Sequence, residues 1–160
     1  MLRPYRIVFV CMGNICRSPT AHGVFRKKLL EAGWADRIDV DSAGTLDYHA
    51  GEPPDPRSQR HARQRGYDLS DLRARGLTAH DFDSADLLLV MDTDNFATVT
   101  QRCPPPHRHK IRRLTEFCRK RRADEVLDPY AGGAQGFEQV LDLVEDACDG
   151  LLEHLRAQGA

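Results

Sequence analysis

Arg6-Ile7-Val8-Phe9-Val10 runs directly into Cys11-Met12-Gly13-Asn14-Ile15-Cys16-Arg17-Ser18-Pro19, and the reading of this junction decides the fold. The first five residues are a short, nearly continuous apolar run, the pattern of a strand buried on both faces. Ser18 and Pro19 read as a helix start, with serine as the cap and proline in the first turn. Ala21, Val24, Phe25 and Leu29 give that helix one apolar stripe, and Gly33 is placed to end it.

Outward from this unit the alternation repeats. Ile38 to Ser42 (IDVDS) alternates like a strand, and Asp55-Pro56 starts a second helix that stops near Gly66. Thr78 with Asp81 resembles a capping box before a short helix. Ala85 to Met91 (ADLLLVM) is the next buried strand, and Asp94 begins a helix that Pro104, Pro105 and Pro106 must end. Lys110 to Leu114 is a last short strand. Phe137, Val140, Leu141, Val144, Cys148, Leu151, Leu152 and Leu155 trace a long amphipathic C-terminal helix. The expected fold is α/β, a single three-layer domain over residues 1–160 with a central parallel sheet of about four strands and helices on both faces. Ligands of such folds gather at the carboxyl ends of strands, where strand order reverses. The loop after the first strand is therefore the candidate site.

Composition bounds the function class. With 160 residues, 41% hydrophobic and 29% charged, the chain has the make-up of one globular domain and not of a disordered tail. Its five cysteines are odd in number and sparse, so reduced thiols and a cytoplasmic location are expected rather than a disulfide framework. The N-terminal apolar run ends at Val10, too short for a signal-peptide core, and no stretch is long enough for a membrane span. A net charge of −1 argues against a nucleic-acid partner. The charge is unevenly spread: Cys103 to Arg122 holds 8 basic residues against one acidic, and residues 123–160 hold 1 against 9. Two readings stay open, a solvated basic turn facing an acidic helix, or a patch that steers an anionic partner.

The loop itself carries chemistry. Gly13 and Asn14 both tolerate positive φ, so the chain can curl with successive N–H groups pointing inward as an anion nest at a helix N-terminus. Such a nest favours a thiolate at Cys11. Arg17 supplies a planar fork matched to two phosphate oxygens. The reaction implied is in-line phosphoryl transfer to Cys11, with the Ser18 hydroxyl donating to the sulfur. The bland alternative, an inert cysteine at a buried strand end, weighs about equally on spacing alone. No metal is expected, because Cys11 and Cys16 lack a second nearby ligand pair, and no cofactor is called for.

CMGNICRSP after an apolar strand resembles the phosphate-binding loop of the low-molecular-weight protein tyrosine phosphatases. The likeness continues, in order, through DSAG (Asp41 to Gly44), PPDPR (Pro53 to Arg57), Asp81-Phe82, MDTDN (Met91 to Asn95) and DPY (Asp128 to Tyr130). It implies a phosphotyrosine phosphatase with Cys11 as nucleophile, Arg17 as phosphate clamp and Asp128 as general acid and then base. It also implies a phosphate loop of Met12, Gly13, Asn14, Ile15 and Cys16, supported by Ser18 and Ser42. Tyr48 and Tyr130 become aromatic walls, and Cys16 a redox partner whose reversible disulfide protects Cys11. The implied partners are phosphotyrosine-containing proteins, met by a monomer.

Three positions depart from the family pattern. Leu72 stands where a histidine of the loop-supporting network is expected, before Arg73-Ala74-Arg75. Ala131 follows Tyr130 where many members carry a second tyrosine. His22 replaces an acidic residue of the first helix, with only a surface effect expected. Sister activities are arsenate reduction and protein-arginine dephosphorylation. The first needs extra cysteines near mid-chain, and none lies between Cys16 and Cys103. The second tends to carry threonine where Ile15 stands, and an apolar Ile15 suits an aromatic substrate better. A binding module without turnover would have lost Cys11 or Asp128, and both are present.

Overall fold

A computed structural model describes residues 3–159. Four strands, β1 (Tyr5–Cys11), β2 (Ile38–Gly44), β3 (Leu87–Val90) and β4 (Ile111–Arg113), form one parallel sheet in the order β2-β1-β3-β4. β1 pairs with β2 on one side and β3 on the other, so strand order reverses at β1. The loop leaving Cys11 thus opens at the crevice where a ligand fits.

The α-helices among the described residues are α1 (Arg17–Ala32), α2 (Pro56–Gln64), α3 (Ala79–Ser84), α4 (Thr93–Arg102) and α5 (Ala134–Ala157). The alternation along β1 sorts them into two layers. Ile7, Phe9 and Cys11 point into one core with Val24, Phe25 and Leu29 of α1 and Val144, Leu151 and Leu155 of α5. Val8 and Val10 point into the other, with Phe82 of α3 and Val99 of α4. Residues 7 to 10 are fully buried, as a strand covered on both faces requires.

Several boundaries differ from the pattern in the sequence. Ser18 does not cap α1: the helix begins one residue earlier, at Arg17, and the Ser18 hydroxyl turns to the loop instead. Asp92, not Asp94, caps α4, accepting from Asn95 N–H at 2.7 Å. β2 extends two residues beyond Ser42 to Gly44, because Cys11 needs a partner there. The Thr78 box is present, with Thr78 N–H donating to Asp81 at 2.8 Å. Gly33 ends α1 at φ 74°, as expected.

The basic segment faces the acidic helix. Arg119 pairs with Glu153, Arg121 lies 3.7 Å from Asp142, and the buried carboxylate of Asp146 accepts from the N–H groups of Arg119, Lys120 and Arg121. These contacts tie the loop that leads to Asp128 onto α5.

Candidate active site

Cys11 is the last residue of a central strand, 2% exposed, and it lines a cleft of about 240 Å³. Ser18 Oγ lies 3.0 Å from the sulfur, and Asn14 N–H donates to it at 3.3 Å. Asn14 Nδ2 donates to Ser18 Oγ at 2.7 Å, which leaves the Ser18 hydrogen free to point at the sulfur. Among the described residues, the amides of Gly13, Ile15, Cys16 and Arg17 meet no backbone or side-chain acceptor. An anion is what such a curl of N–H groups accommodates.

Asn14 alone supplies the left-handed turn, at φ 58°, the one non-glycine residue with positive φ among those described. At Gly13 the constraint is space instead: a Cβ there would sit 3.2 Å from the His49 ring, which would have to shift by a few tenths of an ångström. Gly44 is tighter still, since a Cβ would lie 2.7 Å from Leu46 O and 2.8 Å from Met12 O. Thr45 and Leu46 N–H groups then bind the carbonyls of Cys11 and Met12 at 2.9 and 3.0 Å, fastening the loop to the end of β2.

Arg17 is 2% exposed and aimed under the cleft by two acceptors, Asp92 at 2.6 Å and Val126 O at 2.9 Å. Burial opposes its charge, but the negative groups of Cys11, Asp92 and Asp128 hold the guanidinium protonated. Asp128 completes the rim. Its Oδ1 accepts from Tyr130 N–H at 3.0 Å, while Oδ2 lies 3.8 Å from Arg17 and faces the cleft. Tyr48 and Tyr130 line the opening with His49 between them; the His49 ring stands edge-on to Tyr48 at 4.9 Å. Met12 and Ile15 complete the walls. A larger groove of about 650 Å³ runs along the far side of Asp128, between residues 121–129 and α5, but neither Cys11 nor Arg17 reaches it.

Every candidate residue read from the sequence gathers here, with Ser42 one layer beneath: Asn14 Nδ2 donates to its hydroxyl at 3.1 Å. Cys16 is also buried, and burial pushes its thiol up to about 12. His22 is a correction. Far from lying on the surface, its ring is buried with Nδ1 3.2 Å from Ser42 Oγ, and burial lowers its pKa to about 4.

The reading of single positions missed Asp92, Val126, Arg75 and the purpose of PPDPR. Within that motif Asp55 N–H donates to Ile15 O at 2.8 Å, and the Asp55 carboxylate holds Arg57 at 2.9 Å. Arg57 in turn donates to Tyr130 O at 2.8 Å. The motif therefore braces the phosphate loop against the loop that carries Asp128. Its one signal in the sequence was the acid–basic spacing around a proline.

Residues 6–160 match the model of the low molecular weight phosphotyrosine protein phosphatase family. The chain belongs to this family. A putative low molecular weight protein-tyrosine-phosphatase of Synechocystis is 42% identical over 94% of this chain and 96% of its own length. The human low molecular weight phosphotyrosine protein phosphatase is 35% identical over 92% of this chain and 93% of its own. A crystal structure of the protein tyrosine phosphatase of Entamoeba histolytica, with Hepes in its active site, superposes with a TM-score of 0.94 at 38% identity, covering 98% of this chain and 99% of that one. Membership of the family explains why Cys11 sits at the end of β1. No group of three or more metal-ligating side chains occurs among the described residues, and no described helix is long and apolar enough to cross a membrane.

Proposed function

We propose that this phosphatase hydrolyses phosphotyrosine in proteins through a phosphocysteine on Cys11, with residues 1–160 acting as one catalytic domain. The observation that supports this best is that Cys11, Arg17 and Asp128 line one cleft, with Asp128 Oδ2 3.8 Å from the Arg17 guanidinium. A phosphoryl group in the nest puts phosphorus above the sulfur, with Arg17 and the loop amides on its equatorial oxygens. Attack by the thiolate breaks the P–O bond as Asp128 gives its proton to the departing phenolic oxygen. Water then attacks phosphorus from the side the phenol left, Asp128 takes the water's proton, and the Cys11 thiolate departs with the Ser18 hydroxyl hydrogen directed at it.

The walls favour an aromatic alcohol over a guanidine. Tyr48, Tyr130 and apolar Ile15 offer faces and edges to a phenyl ring. The reaction needs a reduced Cys11, and all five cysteines are free, which suits a cytoplasmic enzyme. The cleft is built from this chain's own residues, which suits a monomer. Cys16 lines the same cleft as Cys11, and we assign it the role of resolving partner for an oxidised nucleophile.

Release of p-nitrophenol from its phosphate ester tests the mechanism. Cys11→Ser should abolish turnover, whereas Asp128→Ala should turn over slowly and show a burst of phenol as phosphoenzyme accumulates. Full activity in Cys11→Ser would overturn the mechanism. A phosphoarginyl peptide processed faster than a phosphotyrosyl peptide of the same sequence would overturn the substrate class.

A further inference from the structure

Asn14 is held from three directions. Its Oδ1 accepts from Arg75 N–H at 3.0 Å, which fixes the amide orientation and leaves both Nδ2 hydrogens as donors. One goes to Ser18 Oγ at 2.7 Å and the other to Ser42 Oγ at 3.1 Å. Each serine oxygen is thus an acceptor, and each hydroxyl hydrogen must find a partner elsewhere. That of Ser18 goes to the Cys11 sulfur, 3.0 Å away. That of Ser42 has one described side-chain acceptor within reach, His22 Nδ1 at 3.2 Å.

We propose that His22 is a positioning residue for the phosphate loop: it accepts the Ser42 hydrogen, which keeps Ser42 an acceptor for Asn14 and so keeps Ser18 turned toward the sulfur. The inference rests on Cys11 being the nucleophile. It assigns the neutral tautomer with the proton on Nε2 and a lone pair on Nδ1. A protonated ring would present N–H to Ser42 and leave the hydroxyl hydrogen without its acceptor. Burial of the ring outweighs the pull of Asp41 and Asp39 on β2 and of Asp71, while Arg26 on α1 reinforces it, so the imidazole stays neutral at neutral pH. The relay also holds a strained turn. Asn14 sits at φ 58°, a left-handed conformation that surrounding bonds must hold. Leu72, at the position where the family pattern expects a histidine, packs in the main core, and the imidazole comes from α1 instead.

Leucine and asparagine have nearly the same shape, so His22→Leu and His22→Asn separate packing from hydrogen bonding. Asparagine Oδ1 can stand where Nδ1 stood. Two readouts apply: kcat on p-nitrophenyl phosphate, and the pH midpoint for alkylation of Cys11 by iodoacetamide. His22→Leu should lower kcat about 5- to 10-fold, the effect of one lost hydrogen bond, and move the alkylation midpoint upward. His22→Asn should restore both, kcat to within about twofold. Equal defects in the two variants, or none in either, overturn the proposal. Should His22→Leu fail to fold, Ser42→Ala opens the same relay from β2 and should reproduce the alkylation shift. An unchanged alkylation midpoint in Ser42→Ala overturns the relay; where His22→Leu folds, the double variant His22→Leu/Ser42→Ala should be no worse than Ser42→Ala alone, and a further loss equal to that of His22→Leu overturns it as well. Alkylation needs no substrate, so it judges the relay even if Cys11→Ser left turnover intact.

Discussion

Replacing Asp92 by asparagine puts two demands on one side chain in conflict. Oδ1 of Asp92 accepts from Asn95 N–H at 2.7 Å and caps α4, while Oδ2 accepts from Arg17 at 2.6 Å. Asparagine has one oxygen. If it keeps the cap, its NH2 faces the guanidinium, donor against donor; if it serves Arg17, the helix loses its cap. Removing a partner from a buried ion pair costs about 3–5 kcal/mol. Here Asp92 is 19% exposed at its side chain and Arg17 retains Val126 O, so the cost should be lower. A charged hydrogen bond of about 1.5–3 kcal/mol is the better guide. At about 2–4 °C per kcal/mol for a chain of this size, Asp92→Asn should melt about 3–12 °C below wild type. The loosened guanidinium should also lower kcat/KM on an aryl phosphate by about tenfold or more. Asp94→Asn, exposed in the first turn of the same helix, is the control and should change stability by less than about 0.5 kcal/mol. Inorganic phosphate, which binds only the folded site, should protect wild type against heat more than Asp92→Asn. A variant that melts within about 1 °C of wild type and keeps kcat/KM within about twofold would refute the idea that Asp92 aims Arg17.

Removing Arg57 should expose the bracing role of PPDPR: Arg57→Ala frees Tyr130 O and should lower kcat/KM for esters of poorly acidic phenols far more than for p-nitrophenyl phosphate, because only the former need Asp128's proton for the phenol to leave. Equal losses across a series of phenols would count against it. Burial holds His22 near a pKa of about 4 against an ordinary 6.5, so the unfolded chain binds the extra proton between those values. The stability it protects is present above pH 6.5 and falls as pH drops toward 4, by about 2–3 kcal/mol at pH 4.5. His22→Asn should flatten that slope in urea unfolding at pH 7 and 4.5, and parallel curves for the two proteins would contradict the burial argument. Cys16→Ser should make mild peroxide inactivation irreversible by thiols. In wild type, a sulfenic acid on Cys11 condenses with the Cys16 thiol, forming the S–S bond and releasing water. Equal recovery of both proteins by dithiothreitol would remove that role from Cys16.

The layer order of the fold was legible because burial imposes periodicity. Arg6 to Val10 had to be covered on both faces, and the strand and helix segments that follow it alternate, so a parallel sheet with the phosphate loop at its reversal point followed. The loop's chemistry was legible for a related reason: Cys11 through Ser18 is contiguous, and local geometry brings its groups together. Asp128 was visible only by likeness to a family, since an Asp-Pro turn before two glycines says nothing of what it faces.

Tertiary structure decided the rest, because hydrogen-bond partners distant in the chain leave no periodic trace. Arg17 is aimed by Asp92 and Val126, and Asn14 is oriented by Arg75, across separations of 75, 109 and 61 residues. The same cause hid His22. On a helical wheel a histidine beside the apolar stripe reads as surface, but β2 passes close enough to cover it and to set Ser42 against its ring. Sequence determined which residues are chemically able to act. Packing decided which of them are held at the distances and in the protonation states that let them do so.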